Sequence, residues 1–158
     1  MNSIDPRHPD HIVFTCNDVW PGHGLFIGSR PYPSEFGEGL TFSVIVLCDG
    51  GWQGKGDIYP WAKTYDCPLM DDEEGGMLRG EESRAWEAGY YVSQCLERGE
   101  RVLVSCHAGH NRSGLVAGLA MVIGGVDGPD AVKMIRENRP GALYNSHFAK
   151  LLADLEGM

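Results

Sequence analysis

The stretch from Val102 to Ala120 constrains the fold of this chain more than any other. Four strand-forming residues, Val102-Leu103-Val104-Ser105, lead into the polar loop Cys106-His107-Ala108-Gly109-His110-Asn111-Arg112-Ser113-Gly114, which is followed by the apolar run Leu115-Val116-Ala117-Gly118-Leu119-Ala120. A short strand without polar alternation suits a parallel sheet covered by helices. In such sheets ligands bind beyond the carboxyl ends of the strands. One segment therefore predicts a fold class and the position of a site.

The rest of the chain repeats the alternation. Leu25–Gly28 and Val44–Cys48 read as short buried strands, and Ala62–Cys67 is a candidate for another. A helix is predicted over Glu81–Arg98, because Ala85, Ala88-Gly89, Val92 and Cys95-Leu96 recur at helical spacing, with acids in the first turn and Gly99 as a stop. Further helices are predicted over Ser113–Ile123 and from Asp127-Gly128-Pro129 to about Asn138, since proline is favoured at a first helical position. Asn145 is placed to cap a last helix with the apolar stripe Phe148, Leu151, Leu152 and Leu155. Strands alternating with helices predict an α/β fold with a mainly parallel central sheet flanked by helices. A chain of 158 residues sustains one core and is short for two, so 1–158 is expected to form a single domain.

Composition narrows the function. Hydrophobic residues at 42% and charged ones at 22% fit a globular chain and argue against disorder. A formal charge of −9 argues against a broad nucleic-acid-binding face, so any attraction for phosphate must be local. The opening residues carry no apolar signal core, and the run Leu115–Val126 is too short to span a membrane. Five cysteines without paired spacing read as reduced thiols, which points to a cytoplasmic protein without membrane insertion. Cys106, His107 and His110 are metal-ligand types but have no second ligand pair near them in sequence, so no metal is expected. The loop lacks the lysine of a nucleotide P-loop, no dinucleotide signature is present, and no cofactor is expected. Trp52, Tyr59, Trp61 and Tyr65 are candidates either for a cleft rim or for ordinary packing.

A cysteine, five residues, then an arginine and a hydroxyl, set between strand and helix, is the arrangement a phosphate-cleaving thiol needs. Amides of the loop and the start of the helix favour an anion there. The same field favours the thiolate of Cys106, the nucleophilic form. Arg112 can grip two phosphate oxygens at once, and Ser113 can stabilise the thiolate or assist breakdown of a phosphocysteine.

These residues resemble the active-site signature of the cysteine-dependent protein tyrosine and dual-specificity phosphatases. Leu25-Phe26-Ile27-Gly28-Ser29 looks like that family's first strand, Pro68-Leu69-Met70-Asp71 like its general-acid loop, and Arg139-Pro140 through Asn145 and Phe148 like its closing segment. The resemblance runs from about Leu25 to Leu155. It implies that Cys106 attacks phosphorus, that Arg112 and the amides of His107, Ala108, Gly109, His110 and Asn111 hold the oxygens, and that Ser113 assists. It also implies an acid on the loop after Pro68: Asp71, three residues on, with Asp72 as the neighbouring candidate. The implied substrates are phosphotyrosine and phosphoserine or phosphothreonine of proteins, or another phosphomonoester.

Several positions depart from or extend the pattern. Ser105 stands where the family normally has His, and Asn111 matches the related RNA 5′-triphosphatases. His107 and His110 occupy places where phosphoinositide phosphatases carry lysines, and each adds positive charge when protonated or else faces solvent. Cys48 matches the partner cysteine that some members join to the nucleophile, or is a small buried residue. The alternatives to a protein phosphatase are therefore an RNA 5′-triphosphatase, a phosphoinositide phosphatase, or an inactive phospho-binding module. If Cys106 is the nucleophile, Cys106→Ser abolishes turnover while phosphate binding survives, and iodoacetate at near-neutral pH alkylates Cys106 ahead of the other four cysteines. Hydrolysis at the wild-type rate by Cys106→Ser would exclude a covalent step at this sulfur.

Overall fold

The β-branched and leucine runs of the sequence become the middle of a sheet. In the computed structural model, which describes residues 14–31, 42–49, 59, 61–70 and 80–158, the elements in chain order are β1 (Cys16–Trp20), β2 (Leu25–Gly28), β3 (Val44–Leu47), β4 (Lys63–Asp66), α1 (Glu81–Glu97), β5 (Val102–Ser105), α2 (Arg112–Ile123), α3 (Gly128–Asn138) and α4 (Ser146–Ala153). The five strands form one sheet in the order β1-β2-β5-β3-β4. β5 lies between β2 and β3 and is parallel to both, and β3 is parallel to β4. Every residue of β3 and β5 is buried, as apolar central strands require.

Strand β1 was not among the predicted elements. It pairs antiparallel with β2 through a turn in which Gly22 and Gly24 take positive φ. Its sequence Cys-Asn-Asp-Val-Trp buries only Val19, so an edge strand held by its hairpin partner carries no apolar run to announce it. The predicted Ala62–Cys67 strand is the opposite edge, β4, with a mostly polar sequence exposed at its two ends.

The pleat divides the core. Leu25, Ile27, Val44, Val46, Val102 and Val104 face the helices, whereas Ile45, Leu47 and Leu103 face the other side and pack with Phe14, Phe42 and Tyr59. Tyr59 is fully buried, donates to the Pro31 carbonyl at 3.0 Å, and has its pKa pushed up to about 12, by burial against the opposing pull of Arg30. Trp61 packs edge-on against Tyr59, and Tyr65 stacks on Tyr91. These three aromatics therefore serve packing, and Trp52 lies outside the described residues.

Helix α2 is apolar on all sides and buried from Ser113 to Val122, the signature of a central helix. It touches α1, α3, α4, β2 and β5. The predicted helix signals operate at the other ends. Gly99 follows α1 with φ of 79°, Pro129 opens α3, and Asn145 Oδ1 accepts from the amides of His147 and Phe148 to cap α4. Among the described residues, no helix is long and apolar enough to cross a membrane.

α3 and α4 meet at Gly128, whose amide donates to the Leu155 carbonyl at 2.9 Å. A Cβ here would collide with the backbone carbonyl of Leu152. Gly128→Ala is expected to lower unfolding stability by about 1–3 kcal/mol, the usual cost of overpacking, as measured by urea titration. An unchanged midpoint would mean that this junction yields freely.

Candidate active site

The segment from Cys106 to Asn111 leaves β5 and turns into α2 with three of its carbonyls taken up from outside. Arg139 Nε donates to the Gly109 carbonyl at 2.7 Å and Nη2 to the Ala108 carbonyl at 3.0 Å. The Leu143 amide donates to the His110 carbonyl at 3.1 Å. No peptide bond among the described residues is cis, so each planar trans unit puts its N–H opposite its C=O. The amides of Gly109, His110 and Asn111 consequently turn toward the hollow of the loop. Such convergent amides at a helix start form an anion site. Gly109 has φ of 75° and sits against the Gly28 backbone, leaving no room for a Cβ.

Arg139 is itself fixed by Asn17 Oδ1 at 2.8 Å and Thr15 Oγ1 at 3.1 Å, which gives the unforeseen β1 hairpin a task. It anchors the arginine that shapes the loop.

Cys106 lies at the floor of the loop, 2% exposed, and its thiol donates to Ser113 Oγ at 3.4 Å. Its amide bonds the Gly28 carbonyl. Ser105 is fully buried, and its hydroxyl donates to the Ser29 carbonyl at 2.8 Å, so the place of the usual family His is filled by a hydrogen bond to β2's exit. Cys48 and Cys106 are both free thiols, as are the other three cysteines. A hydrogen bond with Cys67, then burial, holds the Cys48 thiol well above its ordinary pKa.

Arg112, the first residue of α2, points its Nη1 at Asp49 Oδ1 (3.3 Å) and at the Leu69 carbonyl (3.4 Å). Asp49 Oδ2 in turn lies 3.7 Å from His107 Nδ1. The segment that leads to the acidic run is tied down on all sides. The Leu69 amide bonds the Cys48 carbonyl, Arg84 donates to the Pro68 carbonyl at 2.6 Å, and the Met70 amide donates to Glu81 at 2.6 Å. Asp71 and Asp72 lie outside the described residues. The described chain nonetheless comes within two residues of Asp71 while touching Arg112.

On the other flank, Tyr144 is 60% exposed with its ring 6.3 Å from that of His110, which makes it an aromatic at the rim of the loop that the sequence reading did not single out. Burial, with Arg139 adding to it, lowers the His110 pKa below its usual 6.5. Asn111 Oδ1 accepts from the Asn145 amide at 2.9 Å, joining the loop to the α4 cap. Among the described residues, no three His, Cys, Asp or Glu side chains gather as a metal site. Sequence reasoning passed over Asp49. Its signal was a charged residue just past the buried strand β3, at the carboxyl end of the sheet where ligands bind.

A mainly parallel α/β sheet whose central strand runs into a Cys-x5-Arg loop defines a protein of the cysteine-dependent phosphatase type. Residues 64–158 match the model of the dual specificity phosphatase catalytic domain, and the chain belongs to that family. None of the curated proteins searched matches it. Among solved structures, human DUSP28 aligns with a TM-score of 0.73 at 20% identity, covering 89% of this chain and 92% of that one. A mouse putative dual specificity phosphatase complexed with zinc tungstate gives 0.69 at 22% identity over 99% and 91% of the two chains. OH1 from Orf virus, a tyrosine phosphatase, gives 0.61 at 18% identity over 88% and 83%. At these identities the structures testify to a shared fold.

The Ser105 pocket makes a specific forecast. Replacing this buried hydroxyl by the usual family imidazole overfills the site and breaks the bond to Ser29, so Ser105→His is expected to cost about 1–3 kcal/mol of stability and to lower activity, by thermal melting and steady-state assay. A gain in activity would show that the site retains room for the imidazole.

Proposed function

We propose that this protein hydrolyses phosphomonoesters through a phosphocysteine, acting on phosphotyrosine and on phosphoserine or phosphothreonine of proteins, with residues 1–158 forming one catalytic domain. The observation that carries this reading is the loop itself: three carbonyls drawn outward, amides turned in, and Cys106, Ser113 and Arg112 on its border. In the first step the Cys106 thiolate attacks phosphorus, the bond from phosphorus to the leaving oxygen breaks, and Asp71 gives that oxygen its proton. The loop amides of His107 to Asn111 and the Arg112 guanidinium hold the equatorial oxygens. In the second step Asp71, now a carboxylate, takes a proton from water as its oxygen attacks phosphorus. Cys106 leaves as a thiolate, stabilised by Ser113, and inorganic phosphate is released.

The features that suggested other substrates have local explanations. Asn111 is engaged with the Asn145 amide, a structural use that requires no triphosphate. Phosphoinositide headgroups with several phosphates call for surplus positive charge. Burial lowers the His110 pKa and so works against a positive charge there, and His107 lies against the Asp49 carboxylate, which offsets any charge it carries. Five free thiols fit a reducing compartment and support a cytoplasmic location.

The test rests on the leaving group. An aryl or alkyl oxygen needs a proton, whereas diphosphate leaves well without one. Asp71→Asn is expected to slow phosphotyrosine hydrolysis by about 10²-fold or more and to flatten the basic limb of the pH profile, with a smaller defect on an ester of a very acidic phenol. A harmless Asp71→Asn beside a crippling Asp72→Asn would move the acid by one residue. Efficient cleavage of triphosphorylated RNA, with neither carboxylate mattering for phosphotyrosine, would overturn the assignment.

A further inference from the structure

Asp49 follows Cys48 at the carboxyl end of β3 and is 1% exposed. A carboxylate withdrawn this far from water is costly unless cations and donors surround it. Here one oxygen lies 3.3 Å from Arg112 Nη1 and the other 3.7 Å from His107 Nδ1. The Leu69 carbonyl meets the same Nη1 at 3.4 Å. Both of these contacts therefore fall on a single nitrogen of the guanidinium. Its Nε is buried and has no hydrogen-bond partner among the described residues. The Nε–Nη2 edge, the one that grips a tetrahedral anion in bidentate fashion, is thereby left to a ligand.

We propose that Asp49 is a positioning residue of the phosphate-binding loop. It holds Arg112 from behind by Nη1, so that the opposite edge of the guanidinium meets the equatorial oxygens. The proposal rests on the loop being the phosphate site described above.

Two effects of the Asp49 charge oppose each other. As an anion close to the site it repels bound phosphate and weakens ground-state binding. As an anchor it fixes the guanidinium where the five-coordinate transition state needs it, and a group oriented for the transition state speeds the reaction even at a cost to ground-state affinity. Removing Asp49 must then separate the two kinds of affinity. A residue that merely supported the fold would weaken both together.

The experiment compares inorganic phosphate, a ground-state mimic, with orthovanadate, which forms a five-coordinate adduct, by calorimetric titration of the wild type, Asp49→Asn and Asp49→Ala. In Asp49→Ala, vanadate affinity and kcat on an aryl phosphate are expected to fall at least tenfold, while phosphate binding stays the same or tightens. Asp49→Asn, nearly isosteric, is expected to lie between and carries the test if Asp49→Ala does not fold. In an Arg112→Lys background the Asp49 substitution is expected to change the vanadate-to-phosphate ratio less than twofold, because the edge it positions is gone. An unchanged ratio in Asp49→Asn, or parallel loss of both anions in a folded variant, would overturn the proposal. If the wild type turns over no phosphoester, the proposed function falls, yet the binding ratio still decides the role of Asp49.

Discussion

The ladder that holds β5 between β2 and β3 sets Ser105 level with Gly28 on one side and with Leu47 on the other, and Leu47 is level with Asp66 on β4. Four chain segments therefore leave the sheet at one height: Ser29, Cys48-Asp49, Cys67-Pro68 and Cys106. Cys106, Asp49 and the segment that meets Arg112 at Leu69 all start from these exits. Parallel pairing brings their carboxyl ends together, which is why a sheet of this kind gathers chemistry at one edge. The buried bonds from Ser105 to Ser29 and from the Cys48 amide to the Ser105 carbonyl tie those exits to one another.

A second constraint is the demand for hydrogen bonds in a tight loop. Backbone carbonyls that are buried must be satisfied, and here the acceptors at Ala108, Gly109 and His110 are satisfied from outside by Arg139 and Leu143. The loop is thus held open around its hollow without using the amides that an anion requires. Arg139 is far from the loop in sequence and next to it in space, and it is braced by a hairpin with almost no sequence signal of its own. The α4 cap participates as well, since Asn145 caps the helix with its side chain while its amide engages Asn111. Rigid elements thereby set the loop's geometry before any ligand arrives.

The charge distribution follows the same logic. In a chain of net charge −9, Arg112 at the start of α2 places a guanidinium beside the helix's positive end, a local positive focus. Asp49 lies against that guanidinium, and burial works against a second positive charge at His110. Tyr144 at the rim adds an exposed aromatic face close to the loop.

Much of this was legible in the residues alone. The apolar runs at 44–47 and 102–105, the helical spacing of Glu81–Glu97, the small-residue helix after the loop and the Asn145 cap all depend on local periodicity and local hydrogen bonding, so they survive in a linear reading. The identity of the loop is likewise a matter of adjacent residues. What the tertiary structure decided are relations between distant segments. β1 forms because its hairpin partner is already in the sheet. Ser105 suffices because Ser29 lies across the strand, and Tyr59 is core because the second face of the sheet needs a cover. Asp49 meets Arg112 because two parallel strands end at the same level. No periodicity encodes these contacts, for they arise only when the register of one strand against another is set.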